Sequence, residues 1–221
     1  MFGEVSPFYD LLNRLLSLGL DQGWRRRAVA ELRLPPQGVL LDVATGTGDV
    51  AIEVLRSLGR CRVVGVDVSR PMLVRGGKKL PDAARCRFTL GRAEALPFAD
   101  GSFDGATCAF GVRNFSPVVP CLAEMGRVVR PRARVVVLEL TRPSSRLLRM
   151  LHGAYLRSVV PALGGAFGRL GAYRYLAASI LAFPSPPEFL ALMAEAGLAD
   201  CRHIPLSGGV AGIFVGEARG T

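Results

Sequence analysis

Five stretches of this chain are almost continuously apolar: 39–44 (VLLDVA), 61–67 (CRVVGVD), 86–91 (CRFTLG), 103–111 (FDGATCAFG) and 134–140 (RVVVLEL). None alternates cleanly between apolar and polar positions. Continuous runs of this length predict strands buried on both faces, which implies a parallel sheet between two helical layers. Segments 49–59 and 118–129 lie between these runs and space their apolar residues as helices do. The alternation predicts a doubly wound α/β domain. After it come a helix over 186–198 and two short strands near 200–206 and 212–218. The SGGV at 207–210 predicts a hairpin-like link between those strands and brings the expected total to seven.

Two segments fall outside this pattern. Residues 4–33 read as a helical extension before the first strand, so 1–35 are expected to form a lid. Residues 143–183 read as a helical insertion after the fifth strand, mixing arginines with leucines, aromatics and glycines. At 221 residues and 50% hydrophobic, the chain suits one domain over 1–221.

Charge adds a second theme. The formal net charge is +10, and the only lysines are Lys78 and Lys79. That balance suits anionic partners such as nucleic acid, anionic lipid or a phosphorylated substrate, and equally a solvated basic face. Cys61, Cys86, Cys108, Cys121 and Cys201 are scattered without a CxxC pair, so no metal site is expected and the thiols read as reduced. The opening MFGEVSPFYD lacks the pattern of a signal peptide, and no uncharged apolar run approaches the ~18 residues a membrane span needs. A soluble or peripheral protein is expected.

The candidate chemistry starts at LDVATGTGDV, where Gly46 and Gly48 sit at the turn from the first strand into its helix. Glycine there permits positive φ and close approach of a ligand, and the helix start favours anionic groups. Nicotinamide and flavin enzymes share such turns. Asp42 inside the first strand would repel a pyrophosphate but suits the ammonium group of an amino acid; it equally suits hydrogen bonds to loop amides. Asp67, ending the second strand 19 residues past Gly48, is placed to accept two ribose hydroxyls, or to cap the next helix. Arg92 and Ala93 open a polar turn where backbone groups can flank an adenine. Together these favour S-adenosyl-L-methionine over a nicotinamide cofactor.

The stretch CAFGVRNF ends an apolar run on Arg113 and Asn114, at the carboxyl edge where open α/β sheets bind ligands. One reading gives Arg113 a negatively charged partner in the reaction. The other has it pair with a carboxylate that pins the loop, with Asn114 capping the following helix.

Several motifs carry a resemblance to a known family: MFGEVSPFYDLLNRLLSLGLDQGWRR at the N-terminus, TGTGD at 45–49, AEALPFADGSFD at 93–104, FGVRNF at 110–115, YRYLAASILAFP at 173–184 and SGGVAGIFVG at 207–216. Over almost its whole length the chain resembles the ubiquinone/menaquinone-biosynthesis C-methyltransferases, which methylate a ring carbon of a polyprenylated quinol. The resemblance implies a Rossmann-like, seven-stranded class I S-adenosylmethionine-dependent methyltransferase fold. It implies cofactor contacts at Thr47, Asp67, Arg92 and Ala93, with Asp42, Thr45, Gly46, Gly48, Val68, Met72, Glu94, Ala109 and Phe110 around them. Three motifs depart from the family pattern: Ala109 replaces a frequent serine, Arg92 replaces a usual asparagine, and Pro131-Arg132-Ala133 replaces Pro-Gly-Gly.

The implied reaction transfers a methyl group from sulfonium to ring carbon, with demethylmenaquinol to menaquinol as the leading case and a benzoquinol or another lipophilic ring as alternatives. Arg113 is expected to stabilise the phenolate while water takes the proton, because a guanidinium stays protonated and cannot act as a base; Asn114 orients that water or the second hydroxyl. Tyr9 is expected near ring or cofactor, and Asp10, Tyr173, Arg174 and Tyr175 around the quinol. His152 and His203 lie in none of the resembling motifs and are expected in surface or packing roles. The implied partners are the lipophilic quinol and an anionic membrane surface at the inner face of the cytoplasmic membrane, reached through Arg142, Arg146, Arg149, Arg157, Arg169 and Arg174. A homodimer or association with other quinone-biosynthesis enzymes is left open. No nucleic acid is expected, since the chain lacks an Asn-Pro-Pro-aromatic motif and any RNA-binding module. A non-catalytic protein that keeps the cofactor pocket is the different-class alternative.

Overall fold

The computed structural model describes residues 17, 19–160, 165 and 170–219. Seven strands form one sheet: β1 Val39–Val43, β2 Arg62–Asp67, β3 Cys86–Leu90, β4 Phe103–Ala109, β5 Val129–Leu140, β6 Leu198–Leu206 and β7 Ala211–Ala218. Their order is β3-β2-β1-β4-β5-β7-β6. The first five strands run parallel, and β7 is antiparallel to both β5 and β6. The chain order reverses between β1 and β4, so their carboxyl ends form the switch point at which such sheets bind ligands.

The continuous apolar runs are explained by burial on both faces. Leu41, Val43, Val135 and Val137 pack on one side with Leu122, Met125 and Phe189. Their neighbours Leu40, Val136 and Leu138 pack on the other side with Trp24, Val29 and Val54. The flanking helices are α1 Asp21–Glu31, α2 Asp49–Ser57, α3 Arg70–Lys79, α4 Val118–Val128, and, after the insertion, α7 Pro186–Glu195. Helix α7 starts with a capping box in which Ser185 and Glu188 exchange hydrogen bonds. The insertion contributes α5 Arg146–Ala154, a π-helical turn Tyr155–Val159, and α6 Leu170–Ala182. Leu156, Val160, Tyr173, Ala177 and Ile180 form its own small core.

Several boundaries differ from the sequence expectation for physical reasons; the helix expected over 186–198 ends at Glu195, where Gly197 at φ 89° turns the chain into β6 at Leu198. The fourth strand stops at Ala109, two residues early, because Phe110 takes a positive φ of 57° and turns the chain off the sheet. The fifth strand starts at Val129, five residues early. Its pairing with β4 shifts between Phe103 and Gly105, and the detour places Arg132 at φ 64°. A left-handed conformation is costly for a residue with a Cβ, which explains why glycine suits this position.

Candidate active site

The turn after β1 builds one wall of the site. Ala44, Gly46 and Gly48 all have positive φ, at 55°, 57° and 80°. A Cβ on Gly48 would lie 2.6 Å from the Phe88 ring, so glycine serves both conformation and packing there. The Gly46 N–H donates to Asp67 Oδ2 at 2.8 Å, and the Ser69 N–H donates to Asp67 Oδ1 at the same distance. Two main-chain amides therefore fix this carboxylate at the end of β2. Burial raises its pKa despite those hydrogen bonds.

A cavity of about 330 Å³ opens here, within the range typical of small-molecule sites. Of the residues expected around the cofactor, it brings together Gly46, Asp67, Val68, Met72, Arg92, Ala93, Glu94, Ala109 and Phe110, and it adds Asn114. Val68 is 62% exposed despite its apolar side chain, which suits a surface for a flat ring. The Arg92 guanidinium pairs with Glu94, so the turn offers its backbone rather than that side chain.

Asp42, Thr45 and Thr47 lie elsewhere, around a cleft of about 30 Å³ with Arg25, Gly46, Asp49, Ala109 and Phe110. Asp42 is 1% exposed and accepts from Thr45 Oγ1 at 2.6 Å. Burial pushes its pKa up to about 7, with the Thr45 hydroxyl opposing. Thr47 Oγ1 accepts from Lys79 Nζ at 3.0 Å. Gly48 caps α2 and lines neither space.

Arg113 faces a third space, an apolar cavity of about 60 Å³ shared with Trp24, Phe110, Tyr155, Leu156 and Ile180. Its Nη1 donates to Glu139 Oε1 at 2.5 Å and its main-chain N–H to Oε2 at 3.3 Å. The carboxylate is fully buried and the Arg113 side chain 8% exposed. The alternative in which Arg113 pairs with a carboxylate is thus present, at the rim of a cavity. Asn114 caps no helix; its Oδ1 accepts from the Tyr175 hydroxyl at 3.0 Å, which ties the insertion to the turn after β4. Tyr173 sits in the insertion's own core and Arg174 is exposed, and neither lines any of these three spaces. Tyr9 and Asp10 lie outside the described residues.

Phe110 lines all three spaces. The Arg25 guanidinium lies 5.2 Å from its ring centroid and the Trp24 ring is 6.4 Å away. Arg25 is itself held by ion pairs with Asp21 and Asp49, and Trp24 Nε1 donates to Ser207 Oγ at 3.0 Å. Gly111 follows with φ −112°, an ordinary value. Glycine is needed there because a Cβ would lie 2.7 Å from Ala44 Cβ and 2.9 Å from Cys108 Sγ. Trp24, Arg25, Glu139 and His152 were not expected at the site. The WRR of the N-terminal motif was a legible signal for the first two; no local pattern marks the others.

The parallel sheet with its reversed last strand, and a cavity at the switch point, define a Rossmann-like class I methyltransferase fold. A methyltransferase of known structure from Thermotoga maritima superposes with a TM-score of 0.70 at 20% identity, covering 99% of this chain and 100% of that one. One from Aquifex aeolicus gives 0.67 at 16% identity, over 95% and 97%. The profile of the ubiE/COQ5 methyltransferase family matches residues 1–218, and the chain belongs to that family. A relative from Geotalea uraniireducens, named ubiquinone/menaquinone biosynthesis C-methyltransferase UbiE, is 45% identical over 98% of this chain and 94% of its own. Relatives named demethylmenaquinone methyltransferase are 46% identical in Thermus thermophilus, over 98% and 99%, and 44% in Deinococcus radiodurans, over 99% and 91%.

Proposed function

We propose that this enzyme methylates a ring carbon of a polyprenylated quinol, with S-adenosyl-L-methionine as donor and demethylmenaquinol as the leading substrate. A benzoquinol of ubiquinone biosynthesis is the second reading, favoured by relatives whose name covers both quinones. The observation that carries the proposal is the meeting of a polar-rimmed cavity and an apolar one at Phe110. A charged donor and a lipophilic ring need two such spaces with a shared wall.

The chemistry of the larger site fits the donor. Asp67 accepts from the ribose hydroxyls, held for that purpose by the Gly46 and Ser69 amides. Val68, Met72 and the Arg92-Ala93 backbone border the adenine, and Asp42 attracts the ammonium group through the cleft that Gly46 and Ala109 share with the larger cavity. When bound, the donor supplies an electrophilic methyl group on a sulfonium. The protein's task is to place the ring carbon in line with it and to favour the ionised hydroxyl beside that carbon. Arg113 brings a cation to the ring's cavity, and a nearby positive charge lowers the pKa of a phenol. Glu139 fixes the direction of that guanidinium. Trp24 and Phe110 exclude water from the ring.

The prenyl tail confines the substrate to a bilayer, so the reading extends to an anionic membrane as partner. Helix α5 leaves Leu147, Met150 and Leu151 between 56% and 62% exposed on one stripe, beside exposed Arg146 and Arg149. No acidic residue occurs between Glu139 and Glu188. Such a basic and apolar face suits adsorption to an anionic leaflet. No single helix among the described residues is long and apolar enough to cross a membrane.

The test is reconstitution with donor and demethylmenaquinone in detergent, with and without chemical reduction. The expected product is one methyl heavier and forms only from the quinol. Equal methylation of the oxidised ring, or none of either quinol class, overturns the proposal.

A further inference from the structure

The apolar cavity that holds Arg113 also receives the side chain of His152, from the last turn of α5. Among the described residues this half-buried imidazole has no hydrogen-bond partner. Unlike His203 Nε2, its ring nitrogens are not sealed away from solvent, so they stay open to a hydroxyl that enters the cavity.

The other polar groups facing this cavity are engaged or unsuited to take a proton. From α1, Asp21 accepts from Ser17 Oγ at 2.9 Å and pairs with Arg25. Arg113 is a cation paired with Glu139. Tyr155 is a weak acid whose pKa burial raises further. Asp42 lies in the separate cleft beyond Phe110, on the Thr45 hydroxyl. We infer that His152 is the proton acceptor for the quinol hydroxyl, a role that rests on the proposed ring methylation and replaces both water in that step and the surface or packing role expected for this histidine.

The quinol O–H bond breaks and an N–H bond forms on His152. The oxygen's electron pair moves into the ring, and the adjacent carbon bonds to the methyl group as the donor's S–C bond breaks. That carbon then loses its hydrogen while a proton returns to the oxygen, so one proton leaves for each methyl transferred. Burial holds the pKa of His152 below its ordinary 6.5, so the imidazole is neutral near pH 7 and open to a proton. The nearby cations Arg25 and Arg113 are each balanced by a carboxylate, which keeps the imidazole from being a still weaker base.

The experiment compares wild type with His152→Gln in kcat against pH, in donor affinity by calorimetry, and in imidazole NMR. A general base contributes at least about 100-fold, so kcat should fall by that factor. The acid limb of the wild-type profile, below the ordinary histidine pKa, should vanish, and donor affinity should hold. Added imidazole should restore turnover to His152→Ala. The chain has two histidines, so the spectra are readily assigned. Adding 2-naphthol, a redox-stable phenol, should shift the His152 resonances and spare those of His203, which stacks on Phe214. An unaltered acid limb with kcat within about threefold of wild type, or His152 resonances that ignore 2-naphthol, overturns the inference. In either case, continued methylation by wild type leaves the proposed reaction standing.

Discussion

Replacing Glu139 with alanine is expected to destabilise the enzyme far more than a surface change would. Glu139 accepts from Arg113 Nη1, from the Arg113 main chain and, at 2.8 Å, from the Leu140 N–H. With the carboxylate fully buried and the Arg113 side chain 8% exposed, truncation removes the Glu139 countercharge from a buried guanidinium and the acceptor for two amides. Breaking a buried pair in this way costs about 3–5 kcal/mol. At about 2–4 °C per kcal/mol for a chain of this size, Tm should fall by roughly 6–20 °C. Urea unfolding should give the same loss as a shifted midpoint with little change in slope. Removing both charges avoids the uncompensated ion, so Glu139→Leu with Arg113→Met should recover much of that stability. The double variant should also lose turnover while keeping donor affinity, because neither side chain lines the donor cavity. A loss below about 1 kcal/mol in Glu139→Ala, or additive losses in the double variant, would refute the assignment of a buried, coupled pair.

The raised pKa of Asp42 gives a pH signature. In the folded protein Asp42 keeps its proton up to about pH 7, against 3.8 ordinarily. Its contribution to stability is therefore fully present below the ordinary value and is lost as pH rises through about 7. An ammonium needs the carboxylate form, so donor affinity should rise between about pH 5.5 and 7 with release of a proton. Calorimetry in buffers of different ionisation heat measures that release, and no release, or the same release from Asp42→Asn, would remove Asp42 from the ammonium site. For the membrane face, Leu147→Asp, Met150→Asp and Leu151→Asp together should weaken binding to anionic vesicles by more than about tenfold, since each exposed apolar side chain contributes on burial. Methylation of a soluble, tail-less quinol should persist. Unchanged vesicle binding would move the docking face elsewhere.

The parallel core was legible because strands buried on both faces leave an unmistakable apolar run, as in VLLDV of β1 and RVVVLEL of β5. The glycine turn and Asp67 were legible because positive φ and a carboxylate at a strand end leave local marks. Arg92, Ala93 and the Arg113-Asn114 pair stood out by their place at strand ends, and the family motifs added the expected role of the Arg113-Asn114 pair beside a quinol ring. Arg33, Ala44 and Phe110 adopt left-handed backbone without glycine, and nothing in their residue type announces it.

What the sequence determined by itself was the layered fold, the glycine turn after β1 and the basic, acid-free insertion, because each depends on periodicity or on residues close together in the chain. Only the tertiary structure decided which partner each charge would meet. Glu139 lies 26 residues from Arg113 and Ser207 lies 183 from Trp24, so no local pattern links them. It also separated Asp42 from the larger cavity, set Tyr173 in a packing core, and brought His152 to the apolar cavity that Arg113 lines. Hydrogen bonds and burial depend on distance in space, and over such separations the chain's order says nothing about that distance until the sheet and insertion have folded.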